Sequence, residues 1–190
     1  MVDSFEALKV ISRHRGSAII VATTTANREW QDISTNPDLD MMFDGPMGKA
    51  SSMGLGLALA IPQMKVMVLD GDGSLLMNLG SLVTIANMAP PNLIHFVFEN
   101  SVYRTTGGQP VPGAGRISFI TFAIGAGYNN VHEFEDLETL ENQIETVINE
   151  VGPTFICLKV PPATERPPFP IVKASSIISR FRASLQRHSN

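Results

Sequence analysis

Short, almost uninterrupted apolar runs alternate along this chain with longer segments of helical periodicity. The most continuous runs occupy residues 66–69, 94–98 and 155–158. A run without alternating polar residues is typical of a strand that helices cover on both faces, as in a parallel sheet. The sequence therefore predicts an α/β fold: a single doubly wound domain with a mostly parallel sheet.

The same patterns predict where the elements lie. We expect strands at residues 17–22, 41–43, 65–70, 93–99 and 153–160, and helices at residues 48–61, 74–88, 117–126, 136–150 and 175–186. Prolines between residues 161 and 170 argue against regular structure there. We therefore expect one domain over residues 1–160, followed over residues 161–190 by a proline-rich segment and a helix that either caps the sheet or grips a partner.

Composition narrows the possible functions. With 190 residues the chain has the length of one domain, and its net charge of −4 without a basic cluster argues against a nucleic-acid partner. A single cysteine, Cys157, cannot form an internal disulfide or a four-cysteine metal site. The N-terminus lacks the pattern of a signal peptide, and no apolar stretch approaches the length of a membrane span. We expect a soluble, cytoplasmic protein with no membrane association.

The sequence Gly71-Asp72-Gly73 follows an apolar strand and precedes a predicted helix. Ligands of open parallel sheets bind beyond the carboxyl ends of strands, where this turn lies. The two glycines would let the backbone approach an anion closely, and free N–H groups at a helix start favour phosphate. The Asp72 carboxylate would repel a phosphate unless a cation lay between them. The turn therefore predicts a site for a diphosphate and a hard cation such as Mg²⁺.

Asn100 follows the next predicted strand and offers a second metal ligand. It is separated from Gly73 by 26 residues, the length of one crossover helix with its loops. Consecutive strands joined in this way usually lie side by side, so we expect Asn100 next to Asp72. The backbone carbonyl of Val102 is a third candidate ligand, and diphosphate oxygens with water could complete the shell.

This motif, Gly71-Asp72-Gly73 followed by Asn100, resembles the metal and diphosphate motif of thiamine diphosphate enzymes. The resemblance covers about residues 18–160, which look like the diphosphate-binding domain alone. Two flanking segments, residues 45–58 and 103–110, are similar to the β subunits of sulfopyruvate decarboxylases and to the C-terminal halves of phosphonopyruvate decarboxylases.

The resemblance implies roles for individual residues. Mg²⁺ would be held by the side chains of Asp72 and Asn100 and by the carbonyl of Val102. The cofactor would be contacted by Gly45, Met47, Gly71, Gly73, Ser74 and Tyr103. In this family a backbone carbonyl accepts a hydrogen bond from the aminopyrimidine ring, and a bulky apolar residue two positions later holds the cofactor bent. These positions match Gly45 and Met47.

Substrate contacts are less specified. Thr106 and Gln109 lie on the loop after the metal motif and are candidates to face substrate. Arg104 and Lys49 are cations that could attract an anionic group such as a sulfonate. Arg104 stands where the family usually has a small or neutral residue, and Glu99 where it usually has Asp or Asn.

The resemblance also implies a partner. Thiamine enzymes need a glutamate against the pyrimidine ring, and in this family it belongs to a pyrimidine-binding domain for which we see no room here. We therefore expect a separate pyrimidine-binding α subunit to supply it, in a heteromer with two copies of each subunit, and self-association of the isolated chain. The implied activity is decarboxylation of a 2-oxoacid, with sulfopyruvate as the leading substrate.

Three other functions are alternatives to this one. A phosphonopyruvate decarboxylase would differ in the anionic group of its substrate. The β subunit of a 2-oxoacid:ferredoxin oxidoreductase would need iron–sulfur clusters, which a single cysteine does not hold. A non-catalytic cofactor-binding or assembly module is the third alternative. Outside the motif, we expect His95 and Cys157 to be buried packing residues.

Overall fold

Six parallel strands form the central sheet of the computed structural model, which describes residues 1–43, 47–162 and 174–188. The strands are β1 (Ile19–Thr23), β2 (Asp40–Phe43), β3 (Val66–Gly71), β4 (Leu93–Glu99), β7 (Asn130–Phe134) and β8 (Thr154–Lys159), with a separate antiparallel pair β5 (Val102–Tyr103) and β6 (Gln109–Pro110). The order across the sheet is β2-β1-β3-β4-β8-β7, and every pairing in it is parallel.

Helices cover both faces of this sheet. They are α1 (Ser4–His14), α2 (Thr24–Gln31), α3 (Ala50–Ala60), α4 (Asp72–Leu76), α5 (Ser81–Met88), α6 (Phe119–Ala126), α7 (Leu137–Val147) and α8 (Ala174–His188). Among the described residues, none of these helices has the length and apolar character needed to span a membrane.

Two apolar cores hold the layers together. On one face α1, α2 and α7 bury residues such as Leu8, Trp30 and Ile144 against the sheet. On the other face α3, α5, α6 and α8 bury residues such as Phe119 and Phe181. Each large apolar side chain that is removed from water contributes roughly 1.5–3 kcal/mol to the stability of the folded chain. The two-sided core confirms the predicted doubly wound α/β fold.

The structure adds elements that the sequence patterns did not indicate, among them α1, α2, β7 and the short β5–β6 pair. The start of α1 has a clear signal, because the Asp3 side chain accepts a hydrogen bond from the Glu6 N–H and caps the helix. Strand β7 lies at the edge of the sheet and is largely half-exposed, so it lacks a continuous apolar run. The predicted helix 74–88 was wrong as one element, because turns at residues 77–80 divide it into α4 and α5.

The C-terminal helix α8 packs on this chain's own sheet. Its Phe181 is buried in the second core, and its Arg187 forms a salt bridge of 3.1 Å with Asp38. Of the two roles expected for this helix, the structure shows the cap. The division at residue 160 stays a prediction, and residues 163–173 lie outside the described part of the chain.

The strand order positions the site. Strand β1 lies between β2 and β3. The connection from β1 to β2 and the connection from β3 to β4 therefore run towards opposite edges of the sheet. Connections leaving in opposite directions open a crevice at the carboxyl ends of such strands. The Gly71-Asp72-Gly73 turn follows β3 directly and therefore lies at this crevice.

Candidate functional site

A cleft opens at the carboxyl ends of the strands. It is lined by Thr24 after β1, by the turn from Gly71 to Ser74 after β3, and by Asn100 and Tyr103 after β4. Strands β3 and β4 are direct neighbours, with Gly71 opposite Phe98. The structure thus brings Asp72 and Asn100 into one cleft, as the sequence predicted.

Among the described residues, the hydrogen bonds to the Asp72 carboxylate come from backbone N–H groups. The residue is 2% exposed, one carboxylate oxygen accepts from the Gly73 N–H at 2.7 Å, and the other accepts from the Ser101 N–H at 2.6 Å. Ser101 adopts a left-handed conformation with φ of 64°, which is uncommon for a residue other than glycine. Such strain is typical of functional loops, and here it accompanies the donation to Asp72.

The charge of Asp72 lacks a cationic side chain to balance it. Within the described ranges, no Lys, Arg or His forms an ion pair with Asp72, and the charged neighbour that acts on it is the anion Glu99. Burial, reinforced by Glu99, raises the pKa of Asp72 to about 6, although backbone hydrogen bonds from Gly73, Ser101 and Asn100 oppose this. A buried carboxylate without a counter-charge is costly, so the site fits a bound cation.

Asn100 supplies an amide oxygen to the same cleft. Its Oδ1 accepts a hydrogen bond from the Val102 N–H at 2.9 Å, which fixes the start of the following loop. Carboxylate, amide and carbonyl oxygens are the donors that Mg²⁺ prefers. The side chains of Asp72 and Asn100 therefore fit the metal that the sequence predicts, whereas Val102 itself does not line the cleft among the described residues.

Gly73, in the turn after Asp72, lets both a bound molecule and the loop that carries Tyr103 come close to the backbone. A Cβ on Gly73 would lie 2.4 Å from Cε1 of Tyr103, so the Tyr103 ring packs directly on this glycine. The helix that begins here, α4, is five residues long, and its dipole is correspondingly weak. The backbone of the turn itself is thus the better candidate to contact a diphosphate.

The turn at Met47 and Gly48 is hydrogen-bonded to α4 and to the turn that follows it. The Gly48 N–H donates to Ser74 Oγ at 3.0 Å, and the Asn78 amide donates to the Gly48 carbonyl at 3.0 Å. Met47, next to Gly48, lines the cleft, and its contact with the cofactor stays a prediction. Gly45, predicted to contact the cofactor, lies outside the described residues.

Of the residues proposed to face substrate, Thr106 and Gln109 do not line the cleft. Thr106 and Gln109 are exposed and hydrogen-bond to each other at 3.1 Å. Lys49 is also exposed, while Arg104 does line the cleft. The role of Thr106 and Gln109 stays a prediction.

Sequence reasoning missed a polar cluster at the same cleft. Arg104 Nη1 donates to Glu29 Oε1 at 2.7 Å, and Ser4 Oγ donates to Glu29 Oε2 at 2.7 Å. Glu29 lies on α2, which begins at the carboxyl end of β1. The rule that strand ends face the ligand applies to β1 as well and would have pointed to this segment.

A separate acidic group lies at the ends of β4, β7 and β8. Ligand atoms of Glu99, Glu133 and Cys157 lie within 4.8 Å of one another. Lys159 lies among them, with its Nζ 2.7 Å from Glu99 and 3.2 Å from Glu133. Burial and the neighbouring Glu99 raise the pKa of Cys157, so its thiol stays protonated.

Both residues predicted to be packing residues are buried. Cys157 is a free, buried cysteine. His95 packs edge-on against Phe155, with ring centroids 5.4 Å apart, and lies 3.5 Å from the buried Asp70 carboxylate.

The family model for the thiamine pyrophosphate enzyme C-terminal TPP binding domain matches residues 21–158. The chain belongs to this family. The match confirms the resemblance seen in the sequence, and the TPP binding domain includes the cleft residues from Thr24 to Tyr103.

Curated relatives of this TPP binding domain are named decarboxylases. The sulfopyruvate decarboxylase subunit beta of Methanothermobacter thermautotrophicus is 37% identical over 182 residues, covering 95% of this chain and 94% of the relative. The phosphonopyruvate decarboxylase of Streptomyces viridochromogenes is 37% identical over 172 residues. That alignment covers 89% of this chain but 42% of the relative, so the chain spans about two fifths of that protein.

A solved structure shows the same fold. A thiamin diphosphate-dependent enzyme from Mycobacterium smegmatis aligns with a TM-score of 0.72 and 22% identity. The alignment covers 85% of this chain and 32% of that one.

Proposed function

We propose that this chain is the thiamine diphosphate- and Mg²⁺-binding subunit of a 2-oxoacid decarboxylase. The observation that carries the proposal is the meeting of Asp72, the Gly71–Ser74 turn and Asn100 in one cleft of a TPP binding domain. The leading substrate is sulfopyruvate, which would yield sulfoacetaldehyde and CO₂. A free thiol at Cys157 suits a reducing compartment, and we place the enzyme in the cytoplasm.

The residues of the cleft would divide the work of holding the cofactor. Asp72, Asn100 and the Val102 carbonyl would hold Mg²⁺, which neutralises the diphosphate. The diphosphate would be contacted by Gly71, Gly73, Ser74 and Tyr103, and the bent ring system by Gly45 and Met47. When bound, thiamine diphosphate supplies the electron sink that a 2-oxoacid needs to lose CO₂.

The name of one relative supports a subunit of a larger enzyme. This chain aligns with 94% of a protein named sulfopyruvate decarboxylase subunit beta. A protein named subunit beta implies a second polypeptide beside it. We propose that this is a pyrimidine-binding α subunit, which contributes the glutamate that activates the cofactor.

An apolar surface on the second face of the sheet suits such a partner. Val83 on α5 and Ile124 on α6 are exposed, and a groove between these helices is lined mainly by apolar side chains. Contiguous exposed apolar surface commonly marks a protein interface. In the absence of the α subunit, we expect this surface to drive self-association into a dimer or larger species.

Phosphonopyruvate decarboxylation is the second candidate, because the Streptomyces relatives carry that name at 37% identity. Both substrates are 2-oxoacids with a strongly acidic group, and they differ in whether that group is a sulfonate or a phosphonate. The choice between them is a difference of affinities for the two anions.

The proposal is tested by reconstitution. The chain is co-purified with a candidate α subunit, and CO₂ release is measured from sulfopyruvate, phosphonopyruvate and pyruvate with thiamine diphosphate and Mg²⁺. We expect turnover that requires both subunits and is fastest with sulfopyruvate. Faster turnover of phosphonopyruvate would select the second candidate, and cofactor binding without turnover of any 2-oxoacid would select the non-catalytic module.

A further inference from the structure

Three distant segments of the chain meet in a polar cluster that lines the cleft. The cluster, which we call the latch, consists of Ser4 on α1, Glu29 on α2 and Arg104 after β5. Glu29 uses one carboxylate oxygen for Arg104 and the other for the Ser4 hydroxyl, each at 2.7 Å. Both carboxylate oxygens are thus engaged, one by each of two other segments.

The latch is attached to the loop that follows Asn100 and carries Val102 and Tyr103. This loop is a small hairpin of β5 and β6, closed by a hydrogen bond from the Gly108 N–H to the Tyr103 carbonyl. Asn100 lies immediately before it, Tyr103 lies within it, and Arg104 follows Tyr103 directly. A change in the position of Arg104 should therefore also displace Tyr103 and the nearby candidate ligands Asn100 and Val102, because few backbone torsions separate them.

The ion pair of the latch is shielded from water. The side chains of Arg104 and Glu29 are 10% and 11% exposed. By contrast, the Arg13–Glu141 pair, which links α1 to α7 away from the cleft, has side chains that are 57% and 48% exposed. Exposed pairs contribute little, whereas separating a shielded pair leaves two poorly solvated charges. The latch therefore stabilises the hairpin in the position seen in the structure, where Tyr103 and Arg104 line the cleft. We call this the closed position.

We propose that Glu29 and Arg104 are positioning residues that keep the hairpin closed over the diphosphate end of the cleft and thereby slow cofactor release. For the identity of the ligand, this inference rests on the proposed function. The closing of the hairpin itself does not depend on a ligand, so it is tested separately.

The first test is amide hydrogen exchange in the ligand-free chain. Glu29→Gln keeps the volume of the side chain but removes the charge, and Arg104→Leu removes the guanidinium. Losing one charge-assisted hydrogen bond should increase exchange at Gly108 and Val111 by about tenfold or more. The matched control is Arg13→Leu, which should leave these amides unchanged.

The charge-swapped double variant Glu29→Arg/Arg104→Glu separates a specific pair from general damage. It restores an ion pair, and the Ser4 hydroxyl can accept as well as donate. We expect slow exchange at the hairpin to return in the double variant. Unchanged exchange in both single variants, or no recovery in the swap, would overturn the latch.

The second test measures the rate at which thiamine diphosphate leaves in the presence of Mg²⁺. The dissociation rate should rise about tenfold or more in Glu29→Gln and fall back in the swap, while Arg13→Leu matches the wild-type chain. Wild-type binding with equal rates in all variants would contradict the latch and leave the cofactor assignment intact. No binding by the wild-type chain, with or without the α subunit, would contradict the proposed function, and hydrogen exchange would still decide whether the latch closes the hairpin.

Discussion

Two groups of carboxylates lie at the carboxyl ends of neighbouring strands, and their charges are balanced differently. Glu99 at the end of β4 is paired with Lys159 at 2.7 Å. Asp72, after β3, has backbone N–H partners and no ion pair among the described residues. The two sites share the same edge of the sheet but differ in whether the chain supplies the counter-charge.

This difference separates a structural site from a ligand site. The group of Glu99, Glu133 and Cys157 has a spacing that could hold a metal, but the Lys159 ammonium already lies between the two carboxylates. Asp72 remains a buried anion whose burial raises its pKa to about 6. A cation that arrives with a ligand would relieve this cost, which is why we assign Mg²⁺ to Asp72 rather than to the Glu99 group.

The largest expected effect concerns pH and stability. The pKa of Asp72 is about 6 in the folded chain and 3.8 for an unperturbed side chain. Its favourable contribution to the free energy of unfolding is therefore present below pH 3.8. As the pH rises through about 6, up to about 3 kcal/mol of this free energy is lost. Asp72→Asn should remove this loss, so metal-free wild type should become less stable than the variant between pH 4 and pH 7. Urea unfolding of both proteins measures the difference, and parallel pH profiles would contradict it.

Removing the Lys159 counter-charge of Glu99 should destabilise the folded chain. Lys159→Met leaves Glu99 largely buried and unpaired, which should lower the free energy of unfolding by about 2 kcal/mol at pH 7. Adding Glu99→Gln to this variant should recover most of the loss. If Lys159→Met were neutral in urea unfolding, the two carboxylate sites would not differ as we describe.

A smaller effect is expected at the turn. Gly73→Ala would place a Cβ against the Tyr103 ring and displace the hairpin, so the affinity for thiamine diphosphate with Mg²⁺ should fall about tenfold, or about 1.4 kcal/mol. The matched control is Gly56→Ala on α3, where an added Cβ meets nothing within 4 Å. Equal affinities of the two variants, measured by calorimetry, would remove Tyr103 from the cofactor site.

The smallest effect links the two sites. Glu99 is a lesser cause than burial of the raised pKa of Asp72. Glu99→Gln should therefore move the pH dependence of unfolding slightly towards lower pH. Nuclear magnetic resonance titration of the Asp72 carboxyl carbon would detect this, and an unchanged pKa of Asp72 would show that the two sites do not interact through charge.

The core of the fold and the heart of the site could be predicted from the sequence for the same reason. Central strands such as β3 and β4 are covered on both faces, so they are continuously apolar and easy to recognise. Their order along the chain then places Asp72 and Asn100 side by side. Met47 was predicted from a family resemblance, and it also lies in the cleft.

What could not be predicted depends on contacts between distant segments. The pair of Glu29 and Arg104 joins residues that are 75 positions apart, and no fixed spacing in the sequence links the two. Strand β7 is an edge strand with polar residues such as Asn130 and His132, so its pattern resembles a loop. The effect of burial on Asp72 also required the fold, because a sequence does not show how much water reaches a side chain.

The most direct test of the metal assignment is calorimetric titration of the chain with thiamine diphosphate, with and without Mg²⁺, for wild type and Asp72→Asn. We expect wild type to bind only with Mg²⁺, in the presence of the α subunit if the isolated chain is incomplete, and the variant to lose at least about 100-fold in affinity. Equal binding by both proteins, or binding that is indifferent to Mg²⁺, would contradict the assignment of Asp72 as the metal ligand.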